Sequence, residues 1–228
     1  MSEFEFNPAE TQALLSDSWR VFRIISEFVD GFENMTSLGP SVSIFGSARL
    51  KEGSPYYNMA IEVSKNISKK GFAIITGGGP GIMEAANKGA QLANGASCGL
   101  SVDLPHESDS NKFIDPKYNL RFRYFFIRKV MFIRYAQGYV FLPGGFGTLD
   151  ELFEALTLIQ TKKIHPFPIF LMGKEYWMGI IDWIRSTMLA LECISERDLN
   201  LLHITDDPEE VANMVERHYQ RDRAEKNF

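Results

Sequence analysis

The stretch Tyr139-Val140-Phe141-Leu142-Pro143-Gly144-Gly145-Phe146-Gly147-Thr148-Leu149-Asp150-Glu151-Leu152-Phe153-Glu154-Ala155-Leu156-Thr157 changes character twice. Residues 139–142 form a short apolar run, the pattern of a buried strand. Pro143, Gly144, Gly145 and Gly147 break it. From Leu149 the apolar residues recur at 149, 152, 153, 156 and 159, which is helical spacing. The order is therefore strand, glycine turn, helix. A helix start of this kind leaves backbone N–H groups without intrahelical partners, and its dipole favours an anion there. Glycines allow that anion to come close to the backbone. The polar face of the same helix carries Asp150, Glu151, Glu154 and Thr157. An anion cradle beside a carboxylate is the outline of an active site. A structural reading competes with it: Thr148 and Glu151 have the spacing of a capping box, in which Glu151 only closes its own helix start.

The same alternation runs outward in both directions. Upstream, strands are predicted at 42–45, 72–75, 97–102 and 119–123, with helices at 56–69, 81–93 and 124–136. Residues 103–118 read as a polar loop. Downstream, strands at 168–172 and 201–204 alternate with helices at 174–191 and 207–220, with Asp206 near the last cap. Strands alternating with helices predict an α/β fold, a Rossmann-like doubly wound parallel sheet with helices on both faces. Residues 8–34 precede the first strand and read as one helix. The organisation is thus a helical extension over 1–38, a Rossmann-like domain over 39–221 and a charged tail over 222–228. Ligands of such sheets sit at the carboxyl ends of the strands. Three turns follow predicted strands: Gly46-Ser47, Gly77-Gly78-Gly79 and Gly144-Gly145. They are expected to converge on one edge.

Composition bounds the function. The chain has 228 residues, 45% of them hydrophobic, with 24 Lys and Arg against 29 Asp and Glu. The net charge of −5 shows no overall footprint for nucleic acid. No apolar run reaches the roughly 18 residues of a membrane span, and the acidic start lacks a leader pattern. Cys98 and Cys193 are far apart and read as reduced thiols. Together these features predict a soluble cytoplasmic protein.

Several chemistries lack their motifs. The 76–81 turn does not have G-x-G-x-x-G spacing, and no Gly-Lys-Ser/Thr follows it, which argues against a nicotinamide cofactor and a P-loop. There is no H-E-x-x-H, C-x-x-C or G-x-S-x-G. The helix 124–136 is apolar on nearly all sides yet carries Arg128 and Lys129 in its middle. Buried cations need partners. Either these two reach water along the helix edge, or Arg128 faces an anion such as a ligand phosphate or Glu151. Arg121, Arg123 and Arg134 read as structural or surface residues. The apolar helices 8–34 and 124–136 predict a homo-oligomer.

Pro143-Gly144-Gly145-Phe146-Gly147-Thr148-Leu149-Asp150-Glu151 resembles the P-G-G-x-G-T-x-x-E signature of the LOG (LONELY GUY) family, cytokinin-activating nucleoside 5′-monophosphate phosphoribohydrolases once misnamed lysine decarboxylases. Arg128-Lys129 looks like the start of that family's R-K-x-x-M motif, with Phe132 in place of the methionine and Met131 one position early. The resemblance covers about residues 40–205 and implies a dimer or larger assembly. It implies hydrolysis of the N-glycosidic bond of AMP or an N6-substituted AMP, giving free base and ribose 5-phosphate. By matching positions it implies catalytic roles for Arg128 and Glu151. Glu107, Lys129, Gly144, Gly145, Phe146, Gly147, Thr148, Leu149, Asp150 and Thr157 are implied as contacts to a nucleoside 5′-monophosphate, with further contacts from Ser47, Gly78 and Gly79. No metal or organic cofactor is implied. A nucleotide carrier or sensor of the same fold, and a broader monophosphate nucleosidase, remain open alternatives.

Overall fold

The computed structural model describes residues 8–103 and 110–221. A helix, α1 (Pro8–Met35), leads into β1 (Ser41–Phe45), α2 (Pro55–Lys69), β2 (Ala73–Thr76), α3 (Ile82–Leu92) and β3 (Ser97–Val102). After the loop come β4 (Asn119–Phe122), α4 (Phe125–Tyr135), β5 (Ala136–Phe141) and α5 (Phe146–Gln160). The chain closes with β6 (Ile169–Leu171), α6 (Lys174–Trp183), α7 (Glu196–Leu199), β7 (Leu202–Ile204) and α8 (Pro208–Arg221).

The seven strands form one sheet in the order β4-β3-β2-β1-β5-β6-β7, and every pair is parallel. The Rossmann-like α/β fold expected from the alternation is therefore the observed one. Residues alternate between the faces of the sheet, as strand geometry requires. Phe45, Ile75, Tyr139, Phe141 and Leu171 face one core with Met131, Phe132, Leu152 and Trp177. Val42, Ile44, Ile74, Val140 and Phe170 face the other, with Tyr57, Val63, Ile82, Ala86 and Val215. So α1, α4, α5 and α6 cover one side, and α2, α3 and α8 the other. Each large apolar side chain hidden this way contributes about 1.5–3 kcal/mol.

The strand order sets the position of a ligand. From β1 the chain works outward through β2, β3 and β4, then returns to pair β5 on the other side of β1. The reversal between β1 and β5 is the topological switch point, where open sheets bind ligands.

Local differences from the sequence reading have identifiable causes. The helix expected from Leu149 begins at Phe146, because the Gly145 carbonyl accepts from the N–H groups of both Thr148 (3.0 Å) and Leu149 (3.1 Å). The helix expected over 174–191 is α-helical only to Trp183. Ile184–Leu189 is a wider π-helical turn that keeps Ile184 buried. Asp206 caps α6, accepting from Gly173 (2.6 Å) and Lys174 (3.0 Å). Asp207 instead takes the N–H groups of Glu209 and Glu210 at the start of α8. The short α7 went unpredicted; Ser195 and Asp198 make its capping box.

Candidate functional site

The three glycine turns meet at the carboxyl ends of β1, β2 and β5. Ser47 is the joint between them: its N–H donates to the Pro143 carbonyl (3.0 Å), and its own carbonyl accepts from Ile82 N (3.1 Å). The approach is close enough to dictate glycine at position 81. Its φ is +69°, and a Cβ there would lie 2.5 Å from Ser47 O. Gly78 also needs a positive φ, +78°, and its N–H donates to Thr76 Oγ1 (3.0 Å). The carbonyls of Gly78 and Gly79 accept from Asn111 Nδ2 at 3.1 and 3.0 Å. Asn111 also reaches Asn87 Oδ1 (2.9 Å), and the buried Asn87 bonds Ser97 Oγ and Cys98 O. A polar network thus ties the far end of the 103–118 loop to the second turn. Sequence reasoning passed over Asn87 and Asn111, because an asparagine gives no signal without its partners.

The turn before α5 is shaped by contact between two of its residues. Gly144 has no room for a side chain: a Cβ would stand 2.0 Å from Thr148 Oγ1, and Thr148 is buried. Tyr176 Oη donates to the Gly144 carbonyl. Gly145 and Gly147, in contrast, face open space. Gly145 takes the N-cap position with no side-chain cap, so the capping-box reading of Thr148 and Glu151 does not hold. Phe146, at the first helical position, is 92% exposed.

Across from this turn, α4 presents its two cations to α5. Arg128 Nη2 lies 3.8 Å from Glu151 Oε1. Its guanidinium stacks at 4.7 Å on the Phe125 ring, and Nη1 comes close to Gly77 of the second turn. Lys129 Nζ is 2.8 Å from Asp150, 2.8 Å from Glu154 and 3.9 Å from Glu151 Oε2. Neither cation reaches out to water along the helix edge; both turn toward the acids. Of the other arginines, Arg121 pairs with Asp103 on the surface.

Glu151 is 4% exposed, and its Oε2 accepts no hydrogen bond among the described residues. Burial pushes its carboxyl up to about 7, and Lys129 and Arg128 pull it back only part of the way. Burial works against the charge on Lys129, but its hydrogen bonds to Asp150 and Glu154 outweigh this and raise its pKa. The result is a carboxyl that exchanges its proton near neutrality, beside a fixed guanidinium and a helix start. Such a group can move a proton or face developing positive charge.

The structure brings together Arg128, Lys129, Asp150, Glu151 and the 144–148 turn, with Ser47 and Gly77 adjoining them. Leu149 is half-buried against the core. Thr157 stands apart, about 9 Å farther along the helix than Glu151. Its hydroxyl donates to Phe153 O, and it lines a cavity of about 100 Å³ with Leu156, Ile184 and Met188. Glu107 lies outside the described residues.

A family model described as "Possible lysine decarboxylase" matches residues 83–215. The rice protein named cytokinin riboside 5′-monophosphate phosphoribohydrolase LOG (Oryza sativa subsp. japonica) is 30% identical over 134 residues, 57% of this chain and 53% of its own. The chain therefore spans about half the length of that relative. A second rice protein, "Probable cytokinin riboside 5′-monophosphate phosphoribohydrolase LOGL6", is 25% identical over 182 residues, 77% of this chain and 70% of its own. An uncharacterized protein of Archaeoglobus fulgidus is 28% identical over 124 residues, 54% of this chain and 76% of its own. Among solved structures, the molybdenum cofactor carrier protein of Chlamydomonas reinhardtii superposes with a TM-score of 0.53 at 22% identity, covering 79% of this chain and 99% of its own. The molybdenum cofactor binding protein of Rippkaea orientalis gives 0.53 at 20%, covering 78% and 96%. These two likenesses are of fold. The signature at Pro143–Glu151 and the matched model agree, and the chain belongs to the LOG-type family whose model is described as possible lysine decarboxylase.

Proposed function

We propose that the chain hydrolyses the N-glycosidic bond of a nucleoside 5′-monophosphate, AMP or an N6-substituted AMP, to free base and ribose 5-phosphate. The observation that carries this reading is Glu151, buried, held near neutral pKa and facing Arg128 beside the open start of α5. The names of the rice relatives support the same reaction. The lysine decarboxylase description finds no support in the site, since Lys129 is occupied by three carboxylates instead of standing free to hold a carbonyl cofactor.

In this reading the 5′-phosphate sits on the N–H groups of Phe146 and Gly147 at the start of α5, where the dipole favours it. Gly145 and Gly147 leave the approach open. The phosphate is a handle: its binding fixes the ribose over Glu151. As the bond from C1′ to the base breaks, its electron pair leaves with the base and positive charge builds on the sugar. Ionised Glu151 faces that charge and accepts a proton from the attacking water as the water oxygen bonds to C1′; that proton then passes to the departing base nitrogen, which leaves Glu151 ionised again. Arg128 keeps its charge throughout and orients Glu151 and the substrate. The exposed Phe146 ring is available to stack on a planar base.

The chain also self-associates in this reading. Trp19, Phe22, Ile25 and Val29 on α1 and Phe125 and Phe126 on α4 are each roughly half-exposed or more, a large apolar surface for a single subunit.

The reaction is tested by incubating the protein with AMP, adenosine and N6-isopentenyl-AMP and separating free base by chromatography. Release from the monophosphates and not from adenosine is expected. Binding of AMP without release would replace the enzyme by a nucleotide carrier or sensor.

A further inference from the structure

The helix that carries Arg128 and Lys129 does not hold its own position. No side chain of α4 caps it. Its start is held from α1: Glu27 Oε2 accepts from the N–H groups of Arg123 (3.1 Å) and Tyr124 (3.3 Å). A carboxylate there also complements the dipole of α4. The contact continues along the whole helix. Next to it, the Phe28 ring faces Phe126, with ring centroids 6.4 Å apart. At Gly31 the two helices come so close that a Cβ would lie 2.7 Å from the Met131 side chain. Farther on, Arg134 lies over the Phe32 ring (5.6 Å), and Tyr135 Oη donates to Phe32 O (3.3 Å). Arg128 stands one turn in from Tyr124, so the anchored start fixes where its guanidinium falls.

None of these α1 residues lies within the family-matched segment 83–215. We propose that α1 is a working part of the site, with Glu27 as a positioning residue that seats α4 and so sets Arg128 and Lys129 against Glu151. The inference rests on the hydrolase reading for its chemistry and on the α1–α4 contacts for its geometry. Misplacing a positioned group by about 1 Å is enough to cost one or two orders of magnitude in rate.

The test compares the full chain with Glu27→Ala, Glu27→Gln and, as a control on the same helix, Glu33→Ala. Glutamine keeps an acceptor for the two N–H groups. Glu33 is exposed and is not among the α4 contacts. Two readouts are taken: hydrogen exchange of the α4 amides, and the pH profile of base release from AMP. In Glu27→Ala, exchange in the first turn of α4 is expected to quicken and kcat to fall about tenfold. The acid limb should move to higher pH as the cations withdraw from Glu151. The groups facing Glu151 are Arg128 and Lys129 from α4, Asp150 and Glu154 from α5 and Tyr139 from β5. Glu27→Gln should restore most of both, and Glu33→Ala should change neither. A merely structural loss would lower the amplitude and leave the limb in place, which overturns the proposal. Unchanged exchange in Glu27→Ala overturns it as well. If the unmodified chain releases no base, the hydrolase reading fails, while the exchange data still decide whether Glu27 seats α4.

Discussion

Lys129 and Glu154 meet at 2.8 Å across the gap between α4 and α5, and the same ammonium reaches Asp150 at 2.8 Å. One cation thus neutralises an acidic stripe on a single helix and leaves Glu151, 3.9 Å away, only partly balanced. The Lys129→Met variant removes that clamp and leaves like charges facing one another. The Glu151 carboxyl then rises beyond about 7. The acid limb of the pH–rate profile is expected to move up by about one unit, the low end for losing an adjacent opposite charge. An unmoved limb would show that Lys129 acts on substrate alone.

Glu151→Gln separates stability from chemistry. The folded pKa of this acid, about 7, lies above its ordinary 4.5, so the fold prefers the protonated form. That contribution is fully present below about pH 4.5 and is lost as pH rises through about 7. At pH 8 the wild-type chain therefore carries a buried charge that glutamine lacks. The variant is expected to release no base and yet to melt higher at pH 8, by an amount corresponding to about 1–3 kcal/mol. The difference should shrink toward pH 5. Melting curves at the two pH values check the second half, and base release checks the first.

The glycines of the α5 turn divide into two kinds. Gly144→Ala drives a methyl into Thr148 and is expected to cost about 1–3 kcal/mol of stability by overpacking. At Gly147 a methyl meets nothing within 4 Å, and the residue is already helical, so alanine is expected to leave the free protein as stable or slightly more so. If a phosphate approaches this backbone, Gly147→Ala weakens AMP binding without loss of fold. Calorimetric affinity alongside a melting curve distinguishes the two variants.

The Trp19 and Phe22 ring centroids lie 5.9 Å apart, and both residues are more than half exposed. Self-association through this surface predicts a mass above the monomer in light scattering at micromolar concentration, and a shift toward monomer in the double variant Trp19→Glu, Phe22→Glu. A monomeric wild-type chain would rule the association out.

The element order was legible because each segment kept its own period: Val42–Phe45 and Tyr139–Leu142 read as buried strands, and Leu152, Ala155 and Ile159 kept the spacing of a helix. What was not legible depended on partners far away in the chain. Thr148 has the residue type of a cap but sits inside the helix, because Gly145 supplies the first carbonyl. The sequence offers Lys129 as a side chain reaching water or as a substrate contact; its grip on Asp150 and Glu154 appears only when α4 lies beside α5. Glu27 is one acid among several on a surface helix until α4 is docked on it. The widened turn at Ile184–Leu189 has no proline or glycine to mark it.

The reversal of strand order also has a consequence during synthesis. Ser41 must pair with Ala136, and Ser43 with Tyr139, before the two halves of the site face each other. As the chain leaves the ribosome, β1 through β4 are complete while one edge of β1 still has no neighbour. That edge, with Ile44 and Phe45 on it, stays open until β5 emerges, and pairings this distant in sequence are slow to close. Any nascent fragment ending before β5 therefore carries the strands of one half-sheet with the inner edge of β1 unpaired, and lacks the turn before α5.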